Sequence, residues 1–274
     1  MLNAIHYGPV TRFDLARTIG GRGRYWTSAY LLDGVLIDSG PPHAAPELVE
    51  YLRDKPLTAI LNTHSHEDHI GANGLLQSNR QGLAIRAHPL ALPVLADPSG
   101  EQPLQFYRRV IWGWPEPSLG CPLADGELIE TVQHCLRVLY TPGHSRDHLC
   151  LYEEQRGWLF SGDLYVGGRD RGLRLDTDIW GVITSLKEVS KLDLNRLFPG
   201  SASVKDEPQQ ALSRKIYYLE STGQRVLELH RRGWEVGAIA RELFGGPMFI
   251  EGFTWGHFSR RNLVLSYIEG QAAV

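Results

Sequence analysis

Three observations predict an α/β fold with a helical addition. Up to about residue 205, short strand-like runs alternate with short helical ones. Several of the runs, HLCLYEE and GWLFSGD among them, are almost continuously apolar, as in strands covered on both faces. Beyond residue 205 the apolar spacing becomes wholly helical. The chain therefore divides into an α/β domain over 1–205 and a helical segment over 206–274.

The elements follow in order. RYWTSAYLLDGVLIDSG (24–40) reads as two strands joined at Asp33-Gly34, a dipeptide that tolerates the positive φ of a tight hairpin. PPHAAPELVEYLRDKP (41–56) starts on proline and spaces Leu48, Tyr51 and Leu52 as an amphipathic helix does. LTAILN (57–62) is a buried strand, GANGLLQSNR a short helix and LAIRAH (83–88) another strand. Residues 101–118 interrupt this rhythm with a helix-like piece rich in aromatics, including Trp112 and Trp114. That piece reads equally as simple packing or as a lid or pocket wall, and its tryptophans leave a homodimer contact open.

Strands resume with GELIET, HCLRVLYT, HLCLYEE and GWLFSGD, followed by a helix over DIWGVITSLKEVSKL (178–192) and a last strand in NRLFPGSASV (195–204). In the tail, EPQQALSRKIYYLESTGQRVLELHRRG, WEVGAIARELFGG and FSRRNLVLSYIEG are helices with glycine stops. WEVGAIARELFG also fits the first half of a helix-turn-helix, so the tail is either a winged-helix-like unit or a cap. Its acidic and basic residues balance, which disfavours reading DNA.

Bulk properties remove several function classes. A net charge of -3 gives no general attraction to nucleic acid or an anionic membrane, and no apolar run is long enough to span a bilayer. The N-terminus lacks a basic stretch followed by an apolar one. The three cysteines, Cys121, Cys135 and Cys150, are widely spaced and form no C-x-x-C, so they are expected as buried free thiols. The expectation is a cytoplasmic protein acting on a small molecule, with neither nucleic acid nor membrane as partner.

The chemistry is concentrated in LNTHSHEDHI (61–70), where His64, His66, Asp68 and His69 follow an apolar strand. In an extended backbone His64, His66 and Asp68 project to one side, because side chains alternate with period two. Left alone, such a set would be a costly group of desolvated polar atoms, whereas a divalent cation compensates for it. Further donors sit at other strand ends: Asp38 in VLIDSG, His144 in LYTPGHSRDHLCLY and Asp163 in WLFSGDLYV. Strand-end donors that recur in this way point to a metal at one edge of packed sheets. His148, at the start of a strand, reads as a supporting residue. His6, His43, His88, His134, His230 and His257 have no donor cluster nearby in sequence and default to surface or packing.

The pattern H-x-H-x-D-H, with its downstream His144 and Asp163, resembles the signature of the metallo-β-lactamase superfamily over roughly residues 5–205. The resemblance implies an αββα sandwich with metal at one edge of two sheets. It assigns His64, His66 and His144 to a first metal, Asp68 and His69 to a second, and Asp163 to a bridge, with Asp38 supporting the site. The departure is Ser201 in LFPGSASV, where two-metal relatives commonly carry a histidine. A neutral hydroxyl is a poor zinc ligand beside imidazole, so one Zn2+ is expected to bind tightly and a second weakly or not at all.

Zinc on three imidazoles brings the pKa of its bound water to roughly 7. The resulting hydroxide is suited to attack an ester, thioester or lactone carbonyl, with Asp68 orienting the water or handling its proton. The look is nearest to the glyoxalase-II-like hydrolase branch, where a helical appendage shapes the pocket. Tyr165, Arg169, Arg171 and Arg174, on or beside the loop GGRDRGLR, are candidate substrate contacts, although a solvated loop is the simpler reading. One rival is an oxygenase resembling persulfide dioxygenases, with a single Fe on His64, His144 and Asp163. Another is an RNA-cleaving or nucleic-acid-binding member, and a third is a non-catalytic relative.

Overall fold

Apolar residues of consecutive strands face alternately inward and outward, and that alternation builds the architecture. The computed structural model describes residues 1–102 and 105–270. A first sheet has seven strands in chain order: β1 (Leu2–Tyr7), β2 (Val10–Ile19), β3 (Arg22–Leu32), β4 (Val35–Ile37), β5 (Ala59–Leu61), β6 (Ala84–Ala87) and β7 (Gly120–Pro122). β1 to β4 pair antiparallel, and β4 to β7 pair parallel.

The second sheet contains β8 (Leu128–Glu130), β9 (Cys135–Tyr140), β10 (Leu149–Glu153), β11 (Trp158–Gly162) and, after the short β12 (Leu173–Arg174), β13 (Arg196–Pro199). Its strand order is β13-β11-β10-β9-β8, with only the β11/β13 pair parallel. β12 pairs with β14 (Phe258–Ser259) in a separate ribbon.

Three apolar clusters hold four layers together. Between the sheets, Tyr30, Ile37 and Leu61 meet Val138, Leu149, Leu151, Phe160 and Phe198. On the outer face of the first sheet, Phe13, Leu36, Ile60 and Ile85 pack under α1 (Ala45–Leu52), α2 (Asn73–Asn79) and α3 (Leu92–Ala96) through Leu48, Leu52, Leu76 and Leu95. On the outer face of the second sheet, Cys150, Tyr152 and Leu159 pack under helices. Leu149 and Leu151 thus face the partner sheet while their neighbours face outward, as expected of strands apolar on both sides. The arrangement is the αββα sandwich.

Between the two halves of the chain lie α4 (Pro98–Glu101) and α5 (Phe106–Ile111), the latter within the irregular 101–118 stretch. α6 (Ile179–Val189) precedes β13, and the C-terminal helices are α7 (Pro208–Arg231), α8 (Val236–Phe244), α9 (Phe249–Phe253) and α10 (Arg260–Glu269). Leu212, Leu219, Val226, Ile239, Leu263 and Tyr267 join one cluster with Cys150, Leu159 and Leu186, so α7, α8 and α10 share the second sheet's outer core. The last four residues of the 206–274 segment, 271–274, lie outside the described residues.

The hairpin expected at Asp33-Gly34 joins β3 to β4 with both residues at positive φ, 48° and 82°. The helix expected over 41–56 is shorter: a 3-10 turn at Pro42–Ala44 leads into α1, which ends at Leu52 ahead of Pro56. β1 goes beyond the elements read from sequence; it has no fully buried residue, and only Leu2 and Ala4 turn their side chains toward the outer core. The cysteine expectation needs correction. All are free, but only Cys150 is buried; Cys121 sits exposed on β7 and Cys135 half-buried on β9, strands at or beside sheet edges. Among the described residues, no helix is long and apolar enough to cross a membrane.

Candidate metal centre

The strand β5 stops at Leu61, and the chain from Asn62 to Ile70 runs along the end of the sheets with its side chains largely buried. His64 and His69 are fully buried, and His66 is nearly so. His64 Nε2 lies 2.9 Å from His66 Nδ1, and His144 Nε2 lies 3.0 Å from the same nitrogen. One ring N–H can serve only one of these neighbours, so the three imidazoles cannot satisfy one another. Burial, with His69 and His66 beside it, pushes His64 well below the ordinary histidine range. His66 is pushed down by burial and by Arg174, and burial brings His144 to about 4. Neutral imidazoles presenting lone pairs to a shared point are the donor state a cation requires.

A second group shares His64 with His69 and Asp163, again with one donor atom from each lying within 4.8 Å of the others. His69 Nδ1 lies 2.8 Å from Asp38 Oδ2, which leaves Nε2 turned into the site. That Nε2 is buried without a hydrogen-bond partner, 3.5 Å from Asp163 Oδ2 and 4.0 Å from Asp68 Oδ2. Burial opposes a charge on His69, but Asp163, Asp38 and Asp68 outweigh it and raise its pKa well above normal. Burial opposes charge on Asp163 as well, yet His69 overcomes it and holds the carboxylate well below its usual range. Positive charge is therefore favoured where these carboxylates converge. The orphaned His69 nitrogen and the facing lone pairs fit a divalent cation.

Asp38 organises this half from the end of β4, in a left-handed conformation with φ of 58°. Its two oxygens accept from Thr63 N and Thr63 Oγ1, both at 2.8 Å, besides facing His69. Thr63 Oγ1 in turn faces His64 Nδ1 at 3.0 Å, so one carboxylate orients two histidines. His148 is fully buried and lowered to about 3 by burial; its Nε2 accepts from Asp163 N at 3.2 Å. Asp68 Oδ2 accepts from Thr27 Oγ1 at 3.0 Å, and burial lifts this carboxyl to about 6.

Position 201 faces the site. Ser201 Oγ donates to Asp163 Oδ1 at 2.8 Å, so the serine grips the aspartate that lies between His69 and His144. Two glycines make room for this packing. A Cβ on Gly200 would sit 2.7 Å from Asp163 Oδ1, and one on Gly162 (φ 47°) would sit 2.7 Å from Thr63 Oγ1.

A cleft of about 550 Å³ opens at His66, and its lining includes Arg108, Arg174 and His257 as well as the apolar Leu90 and Val94. Arg174 belongs here, its guanidinium held by Asp176 at 3.0 and 3.1 Å. Tyr165, Arg169 and Arg171, the other candidate substrate contacts, do not line this cleft. Arg171 donates to Phe244 O at 2.6 Å and so caps the end of α8. Tyr165 and Arg169 line a different groove of about 1020 Å³ against α7, where Arg169 lies over the Tyr218 ring. The loop is drawn there by Lys215, whose buried ammonium meets Asp170 Oδ2 at 2.6 Å and donates to Val166 O at 2.8 Å.

Several contributors carry no readable signal in the sequence. His257 reaches the cleft from the C-terminal segment and meets Tyr107 Oη at 2.5 Å. Glu67, between two donors, forms a buried two-point ion pair with Arg108 of α5. Its place inside the motif marks Glu67 as a carboxylate of interest, but nothing local identifies its partner 41 residues away.

An αββα sandwich with histidine and aspartate donors gathered at the strand ends defines a class of metal-binding proteins. The model of the metallo-beta-lactamase superfamily matches residues 23–201, and the chain belongs to that superfamily. An atrochrysone carboxyl ACP thioesterase of Aspergillus fumigatus is 25% identical over 209 residues, covering 73% of this chain and 58% of that protein. The metallo-beta-lactamase family protein TTHA1429 from Thermus thermophilus superposes over 97% of this chain and 93% of its own, with a TM-score of 0.69 and 20% identity. TTHA1623, in a di-iron-bound form, is 31% identical, covers 69% of this chain and 94% of its own, and has a TM-score of 0.54. The chain spans about two thirds or less of the length of the first curated relatives it matches.

Proposed function

We propose that the protein is a metal-dependent hydrolase of a small-molecule ester, thioester or lactone. It holds one Zn2+ on His64, His66 and His144 and a weaker second cation on Asp68 and His69, with Asp163 between them. The observation that carries this reading is the convergence of His64 Nε2, His66 Nδ1 and His144 Nε2, with separations of 2.9 and 3.0 Å about His66. When bound, a divalent cation supplies an acidified water and polarises a carbonyl. The chain supplies the rest. The cleft beside His66 would admit substrate, with Arg174 and His257 as polar and Leu90 and Val94 as apolar lining. Asp68, oriented by Thr27, would orient a water and take its proton. Relatives described as thioesterases support the choice of substrate bond.

The test is metal analysis of protein purified without added metal, followed by assays on simple acyl esters, acyl thioesters and lactones. One zinc per chain with turnover of at least one of these substrates is the expected result. Metal-loaded protein inactive on all of them would sink the hydrolase reading.

A second reading exchanges zinc for iron, favoured by the di-iron form of TTHA1623. In its oxygenase version one Fe sits on His64, His144 and Asp163. One tightly bound iron per chain with sulfur-dependent oxygen uptake would select it. Two tightly held ions of either metal would instead show that Ser201 does not weaken the second site.

A further inference from the structure

Residues 64–68 alternate in what they touch. His64, His66 and Asp68 turn toward the donor cluster, while Ser65 and Glu67 turn away from it into protein contacts. Ser65 N donates to Asp147 Oδ2 at 2.8 Å, and Ser65 O accepts from Gln102 Nε2 at 2.8 Å. Arg108 Nε donates to Glu67 Oε1 at 2.6 Å, its Nη2 meets Glu67 Oε2, and the same Nη2 reaches Gln102 Oε1 at 3.2 Å. Both charged side chains are almost wholly buried, 1% and 4% exposed. A buried ion pair is no efficient way to add stability, since desolvating two charges offsets most of their attraction. What a two-point guanidinium–carboxylate contact does supply is a fixed direction at each end.

We propose that Glu67 and Arg108, joined by Gln102, are a positioning pair that holds the donor segment in metal-binding register from its outer side. The proposal rests on the metal-dependent reading above. Each outward residue between the donors is tied down, so the backbone cannot rotate His66 or Asp68 away from the cluster. The tie comes from α5, the same short helix whose Tyr107 contacts His257 of the C-terminal segment at 2.5 Å. The cleft wall and the donor segment are therefore one mechanical unit. Donor sites fixed in this way bind more tightly because less order is imposed on binding.

The experiment follows zinc release from the zinc-loaded 274-residue chain into excess chelator with a chromophoric indicator, alongside thermal melting. Replacing one partner alone strands a buried charge, so the informative variant is Glu67→Gln combined with Arg108→Gln, which neutralises both. It is expected to fold and to release zinc at least about tenfold faster, in the range seen when groups supporting a metal ligand are altered. Arg108→Lys keeps the charge but loses the fork, and its release rate should fall between those of the wild type and the double variant. Lys215→Met breaks the buried pair with Asp170 away from the donors; it should lower the melting temperature without changing the release rate. Wild-type release rates in the Glu67 and Arg108 variants would overturn the proposal. So would equal acceleration by Lys215→Met, because the effect would then be general destabilisation. A wild-type chain that takes up no zinc would remove the metal-dependent reading, and this pair's role with it.

Discussion

The two halves of the donor cluster are built differently. Around His66, three neutral imidazoles face one another at 2.9 and 3.0 Å. Around His69, an imidazole faces carboxylates at 3.5 and 4.0 Å, and its inward nitrogen has no hydrogen-bond partner. In the first half every donor belongs to a ring of similar chemistry. In the second, Asp68 is shared with Thr27 and Asp163 with Ser201, so carboxylate oxygens are already engaged by hydroxyls. Ser201 occupies one oxygen of Asp163 and leaves Oδ2 facing His69 and His144. On the reading proposed above, in which the second cation is held more weakly, this contrast is the physical difference between the two halves.

The largest expected effect comes from breaking the first half. His66→Ala removes the nitrogen shared by His64 and His144; it should abolish tight metal binding and lower hydrolysis by roughly a thousandfold or more. Metal content and kcat/KM measured together check this, and a variant that keeps both would place the site elsewhere.

A smaller loss is expected from Asp38→Asn, which weakens the carboxylate that orients His69 and, through Thr63, His64. Affinity for metal should fall about 10- to 100-fold by competitive chelation. An unchanged affinity would mean that packing alone holds both rings.

Ser201→His sharpens the comparison directly. Because the Ser201 hydroxyl reaches Asp163 Oδ1 at 2.8 Å, a longer ring there should supply the second half with a donor and raise the metal count toward two per chain. If the count does not change, the backbone at 201 is misdirected for ligation and the weakness of the second half has another source. The smallest effect is expected from Ser201→Ala, which removes one hydroxyl from Asp163. Loss of a single hydrogen bond of about 1 kcal/mol should alter metal affinity by only several-fold, as titration with a competing chelator would show.

Much of this is legible in the sequence. The donors in LNTHSHEDHI, the strand-end Asp38, His144 and Asp163, and the departure at Ser201 are all visible as local patterns. Strands covered on both faces are legible in HLCLYEE and GWLFSGD, whereas the four-layer sandwich is implied by the family resemblance that the donor motif carries. The loop GGRDRGLR divides: Arg174 lines the cleft, while Arg169 and Arg171 lie away from it. Its arginines suggest an anion contact, but Lys215 pulls Asp170 toward α7 and Arg171 turns to the carbonyl of Phe244. Likewise His257 looks isolated, since its partner Tyr107 lies 150 residues earlier.

The sequence by itself determined which donor chemistries are present, their order along the chain and the elements that carry them. Short-range periodicity and turn chemistry are properties of neighbouring residues, and they can be read without knowing what packs against what. Only the tertiary structure decided which donors share a point in space, that Ser201 holds Asp163, and that Arg108 grips the segment between the histidines. Those relations join residues tens of positions apart. They depend on side-chain packing and burial, which no local pattern encodes.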